Sequence, residues 1–234
     1  LNLDPTSQVH LEISGTEAEA MYDQIEVTGT AALGGKLTLY PIGGYEPLEN
    51  EQFEFVKAMD ITGGFVEIDQ SRLGRDVRLD FEVGNTGLMA TAMPLTIGSY
   101  ADWRQAFFTE PDAADDLVSG PDQDPDGDGS TNRMEYAFGG NPNVPEGSPV
   151  TFDLNETANP DEYAVTATFD WANDVTDSVW FFEVSDDLSD WTEAAATETG
   201  RVNNGDFSRI TAAWTDPINL TQRIFLRIGV KESL

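Results

Sequence analysis

Cysteine is missing from this 234-residue chain, and histidine occurs once, at His10. Without cysteine there is no disulfide framework, no thiolate metal site and no cysteine nucleophile. That lack does not argue against an extracellular address, because a chain of this length buries a core without covalent staples. Long apolar runs are missing too: no stretch reaches membrane-spanning length, and none reads as a signal-peptide core. Basic residues are scarce. Lysine stands only at Lys36, Lys57 and Lys231, and lysine and arginine together number 12 against 43 acidic residues, for a net charge of -31. Such a field repels nucleic acid and anionic membrane surfaces, attracts cations and keeps the chain soluble. An acidic, lysine-poor surface suits salty or calcium-containing surroundings. The chain opens on Leu1 instead of Met, which leads to the expectation of a processed or excised piece, a mature secreted segment.

What is present is first of all β pattern. Val77, Leu79, Phe81 and Val83 alternate with Arg78, Asp80 and Glu82, the mark of a strand with one wet face. Gly34-Gly35 lies between "IEVTGTAAL" and "KLTLYPI" and predicts a two-residue hairpin turn. Further turns are marked by Gly43-Gly44, Gly63-Gly64 and Asn85-Thr86-Gly87. No strict internal repeat emerges, so a regular solenoid is not predicted. After Pro149 the alternation returns. Tyr163, Val165, Ala167, Phe169 and Trp171 fall on one face, and Ile224, Leu226, Ile228 and Val230 on another, giving roughly five strands with "VWFFEVS" and "RITAAW", enough for a small sandwich.

Between these regions the period changes. "SYADWRQAFF" offers Ser99 as a helix N-cap, with Tyr100, Trp103 and Phe107 on one face and Pro111 as the stop. From Glu110 to Asp128 the chain carries eight acidic residues and no basic one. A run of this kind is ordinarily a solvated linker. The expected architecture is therefore mainly β. An N-terminal β-domain over 1–98, a β-sandwich or β-solenoid-like part, is joined by a helical segment over 99–145 to a small C-terminal β-sandwich over 146–234.

The acidic run ends in "DPDGDGSTNRMEYAFGGNP", residues 124–142. The twelve-residue calcium loop of the EF-hand takes oxygens from positions 1, 3, 5, 7, 9 and 12, with glycine at 6 for the sharp turn. Asp124 at position 1 puts Asp126 at 3, Asp128 at 5 and Gly129 at 6. Ser130 then gives its carbonyl at 7, Asn132 stands at 9 and Glu135 at 12. All six ligand positions match, and an all-oxygen shell with a bidentate glutamate favours Ca²⁺ over Mg²⁺. Asn132 to Phe138 is the predicted exiting helix, with Gly139 as the residue after it and Pro142 preventing a restart. "SGPDQ" before Asp124 is no helix, so the expected site is a loop with an exiting helix only, of the weakly binding extracellular kind. Asp112, Asp115, Asp116 and Asp122 are candidates for a second site but fit no defined spacing.

That loop, preceded by "YADWRQAFF" and followed by "FFEVSDDLSDWTEA", resembles the C-terminal portions of large secreted and surface proteins of aquatic Gram-negative bacteria. Upstream, "YDQIEVTGTAALGGKLTLYPIGGYEPLENEQFEFVKAMDITGGF" looks like the terminal strands of autotransporter-associated β-strand repeat proteins. The resemblance implies a non-catalytic region at the end of an extracellular β-rich polypeptide. Such proteins often carry a C-terminal sorting anchor, and "IFLRIGVKESL" does not read as one.

A catalytic constellation is not legible. His10 lies on a strand-like run with no nucleophile turn near it, and there is no HExxH, phosphate-binding glycine loop or dinucleotide fingerprint. With 43 acids, some carboxylates will stand at glycosidase spacing in any fold, and nothing singles out a pair. Of the tryptophans, Trp191 is the best candidate for an exposed sugar-stacking ring. The sequence thus points to a calcium-stabilised structural protein of a bacterial surface, fibre or coat. It would self-assemble through β-edges, with "LNLDPTSQVHLEIS" adding to the sheet of a neighbouring subunit. The alternative is a polysaccharide-binding accessory, or a spacer or sorting module, of a larger secreted enzyme.

Overall fold

The computed structural model describes residues 1–219 and 223–233, and the chain divides into two compact units, Leu1–Thr96 and Ile97–Leu234. The structure is mainly β, with several sheets and three short helices among the described residues.

The first unit holds two sheets around one apolar core. Strands β1 (Gln8–Ile13), β3 (Lys36–Pro41) and β5 (Glu67–Asp69) stack in parallel in the order β1-β3-β5. Strands β2 (Ile25–Leu33) and β4 (Gln52–Gly63) are also parallel, and the antiparallel strands β7 (Gly87–Pro94) and β6 (Val77–Val83) close that sheet in the order β2-β4-β7-β6. Leu11 and Ile13 from β1, Leu37 and Leu39 from β3, and Phe53, Phe55 and Ile61 from β4 share the core with Leu79 and Leu88. The parallel ladders repeat from coil to coil. Asn2 pairs with Ala32 and Ala32 with Thr62, a step of 30 residues each time.

This corrects the hairpin expected at Gly34-Gly35. Strands β2 and β3 do not pair with each other; they belong to different sheets, and the glycines turn the chain from one sheet to the other. The reason lies in the layer above. Gly35 has φ +76° and no room for a Cβ against the Ser7 carbonyl, and Gly63 has φ +74° with the Leu33 carbonyl in the same place. Each turn sits on the backbone of the preceding coil, so glycine is needed for contact as well as for conformation. The solenoid-like character is carried by these stacked turns and not by repeated side chains, which is why no sequence repeat shows it. The segment before β1 is committed within its own unit: the amide of Leu3 donates to the Ala32 carbonyl at 2.9 Å, and Ala32 donates back to Leu1 at 3.0 Å.

The second unit begins with helix α1 (Tyr100–Phe107), whose N-cap Ser99 accepts the Asp102 amide and whose Tyr100, Trp103 and Phe107 are buried, as the spacing predicted. Pro111 does not merely end this helix. It stands in the first turn of the short helix α2 (Glu110–Ala113), where its missing N–H costs nothing. Helix α3 (Asn132–Phe138) ends at Gly139 in the left-handed conformation, with φ 85°.

Two sheets follow. One contains β8 (Val150–Glu156), β9 (Glu162–Ala172), β12 (Ala196–Asn203), β13 (Phe207–Trp214) and β14 (Ile218–Asn219); the other contains β10 (Ser178–Ser185), β11 (Thr192–Ala194) and β15 (Phe225–Glu232). They face each other through rings: Phe169 of β9 against Trp180 of β10, and Phe152 of β8 against Phe182 of β10. Val165, Ala167, Phe169 and Trp171 are buried, as their alternation required. Helix α3 packs on β9 and β15, and Phe138 sets its ring edge-on to Phe169 and Trp171. The helical segment is thus part of the second compact unit.

Candidate metal centre

The loop that leads into α3 is shaped by its own aspartates. Asp124 accepts the amides of Gly127 at 2.9 Å and Gly129 at 3.0 Å, one on each carboxylate oxygen. Asp126 accepts the Asp128 amide at 3.3 Å, and Asp128 accepts the Ser130 amide at 2.7 Å. Short acidic side chains bonding to amides two to five residues on are what wind a backbone of this kind around a centre. Gly129, the predicted sharp-turn glycine, has φ +99°. The turns bring carboxylate oxygens of Asp124, Asp126 and Asp128 within 4.8 Å of one another. No helix runs directly into Asp124, as the sequence led us to expect.

Glu135 approaches from α3. It is 3% exposed, and neither of its side-chain oxygens has a hydrogen-bond partner. Oδ2 of Asp126 is likewise buried without one. Burial first, then repulsion from Asp126, Asp128, Glu146 and Asp124, pushes the Glu135 carboxyl up to about 9. The Asp126 carboxyl is also raised, first by burial, with the charges of Asp128 and Asp124 adding to it. A carboxylate stripped of water and surrounded by like charge is among the costliest groups a protein can bury, unless a cation stands beside it. Asp128, Ser130 and Glu135 line a cavity of about 210 Å³ together with Phe138, Glu146 and Asp170.

Asn132 takes a different part. Its side-chain amide donates to the carbonyls of Val118 at 3.0 Å and Gly120 at 2.9 Å, and its own backbone amide to Gln123 at 2.7 Å. These bonds staple α3 to the chain that precedes the loop, while Oδ1 is left buried without a partner. Arg133, the next residue, lies 4.5 Å over the Tyr100 ring and donates to Ser178 at 2.9 Å.

The residues fit a hard divalent cation. All donors are oxygens, the loop is wound in advance, and the unpartnered oxygens of Glu135 and Asp126 are ones that a cation could match. The acids upstream do not converge in the same way. Asp112 accepts from the Thr109 hydroxyl, Asp115 from the Leu117 amide, and Asp116 pairs with Arg104 at 2.9 Å. Sequence reasoning missed Glu146 and Asp170. Neither lies at a ligand spacing from the loop; the fold brings them to the cavity.

Elsewhere, His10 is exposed on β1 beside Tyr40. Trp191 is partly buried, donates its ring N–H to the Leu188 carbonyl at 3.3 Å, and has the Arg227 guanidinium 4.1 Å over its ring. No helix among the described residues is long and apolar enough to cross a membrane. No protein-family model matches the chain, and no curated protein matches it as a relative.

Proposed function

We propose that this chain is a non-catalytic, calcium-stabilised structural module of an extracellular bacterial protein, on a Gram-negative cell surface or in a fibre or coat. The observation that carries the reading is Glu135: buried, with both side-chain oxygens unpartnered, beside a loop that gathers three aspartates. Bound there, Ca²⁺ supplies the charge and coordination those oxygens lack. Asp124, Asp126, Asp128 and Glu135 would give side-chain oxygens, and Ser130 its backbone carbonyl. Asn132 would reach the ion through Oδ1 while its amide keeps the staple. A shell filled by protein groups leaves the ion a structural part and not a Lewis acid.

The parallel coils of the first unit support the structural role. Leu1–Leu3 cover β2 only at its far end, and the outer edge of β2 from Ile25 to Gly29 offers backbone groups to a further strand. Self-assembly through β-edges follows the same logic. The polysaccharide-binding alternative needs an open aromatic face, and Arg227 already occupies one side of Trp191.

The test is a thermal melt joined to light scattering, in 10 mM calcium and in chelator. For a site binding at about 10⁻⁴ to 10⁻³ M, calcium stabilises by about 1.4 to 2.7 kcal/mol. Assemblies that form only in calcium support the fibre or coat role. Identical melting in calcium and chelator refutes the metal site. A calcium-stabilised monomer keeps the site but leaves a spacer or accessory module as the role.

A further inference from the structure

Asp128 divides its carboxylate between two segments. Oδ1 accepts the Ser130 amide at 2.7 Å inside the loop, and Oδ2 accepts the Glu146 amide at 2.8 Å from the chain beyond α3. This second segment arrives already placed. Asn143 donates its backbone amide to Asn141 Oδ1 at 3.0 Å and its side-chain amide to the Phe107 carbonyl at 2.7 Å, and the Val144 amide donates to the Asn141 carbonyl at 3.0 Å. Glu146 is exposed at the rim of the cavity whose wall is formed by Asp128, Ser130 and the buried, unpartnered Glu135. Its charge is one of those that bear on Glu135.

The loop alone offers one oxygen from each of six residues, with a second from Glu135 when it binds bidentately. Calcium takes six to eight oxygens. A donor from outside the twelve residues, held at the rim by the adjacent backbone bond, would bring the shell to the upper end of that range. A carboxylate there also tightens the site, because affinity in such loops rises with ligand charge.

We propose that Glu146 gives its side-chain carboxylate to the cation bound by Asp124, Asp126, Asp128 and Glu135, so that the ion clasps the loop to the segment leading into β8. This rests on the calcium reading above.

The experiment uses the full chain, with wild type, Glu146→Gln, Glu146→Asp and, as a control on exposed β8, Glu156→Gln. Calcium affinity is measured by calorimetry. Terbium is then bound in place of calcium, and its luminescence lifetimes in H₂O and D₂O give the number of metal-bound waters. Ligation predicts about a tenfold loss of calcium affinity in Glu146→Gln. It also predicts about one added water on terbium, with partial recovery of both in Glu146→Asp and no change in Glu156→Gln. Weaker binding with an unchanged water count means that Glu146 acts only through its field, and overturns the proposal. Unchanged affinity and water count overturn it too. Wild type that binds neither metal ion overturns the calcium reading itself, an outcome distinct from tight wild-type binding with an indifferent Glu146→Gln.

Discussion

Asn132 donates its side-chain amide to the Gly120 carbonyl at 2.9 Å, joining the first residue of α3 to the chain twelve residues before it. This contact and the 3.0 Å bond to Val118 are independent of any ion. Asn132→Ala is therefore expected to destabilise the protein in chelator by about 1 to 3 kcal/mol for the two bonds lost, and by more in calcium, where Oδ1 is lost from the shell as well. Asp126→Ala should behave differently. It removes the gain in melting temperature given by calcium, and in chelator it is neutral or slightly stabilising, because it relieves repulsion on Glu135. Melting curves of both variants in the two conditions check this; an Asn132→Ala defect confined to calcium would assign that residue to coordination alone.

The Glu135 carboxyl gives a pH signature. Its folded value is raised to about 9 from an ordinary 4.5, so between those values the cation-free folded protein holds a proton that the unfolded chain releases. Stability in chelator is therefore fully present below pH 4.5 and is lost as pH rises towards 9, on the order of 3 kcal/mol by pH 7. Calcium needs the ionised carboxylate, so its affinity rises over the same range. Denaturation from pH 5 to 8 in chelator should show the decline, and Glu135→Gln should flatten it while abolishing the calcium effect.

Phe138 ties α3 to the C-terminal sheet, with its ring centroid 5.5 Å from Phe169 and 6.0 Å from Trp171. Phe138→Ala should cost about 3 to 5 kcal/mol in urea denaturation. The loss should persist when calcium saturates the site.

In the first unit, Gly63→Ala places a methyl group against the Leu33 carbonyl on a left-handed backbone. A loss of about 2 kcal/mol or more is expected from strain and steric conflict together. Hydrogen exchange at β2 and β4 amides should quicken, and calcium should not restore protection there.

The winding of the loop and its exiting helix were readable because both are local: a glycine at the sharp turn, and a helix whose observed bounds, Asn132–Phe138, match those expected. The helix face of Tyr100, Trp103 and Phe107 was readable for the same reason. What the sequence hid was non-local. Gly34-Gly35 marks a tight turn whether the strands beside it pair with each other or with the coils above and below, and alternation names no partner strand. Glu146 reaches Asp128 across eighteen residues, through a path fixed by Asn141 and Asn143, and no spacing rule spans that. Asn132 shows the opposite limit: the motif names its position, but its amide is engaged in a bond that the motif does not mention.

The stacked turns at Gly35 and Gly63 have a consequence for growth of the molecule over evolutionary time. Register between coils is set at the turn by backbone contact, so at that point a coil of about 30 residues could be duplicated or deleted with little demand on neighbouring side chains. Each such event would change the length of the stack by one strand spacing, about 4.8 Å. The first unit is in this sense a ruler with coarse, discrete marks, whose reach is altered by recombination more readily than by point substitution.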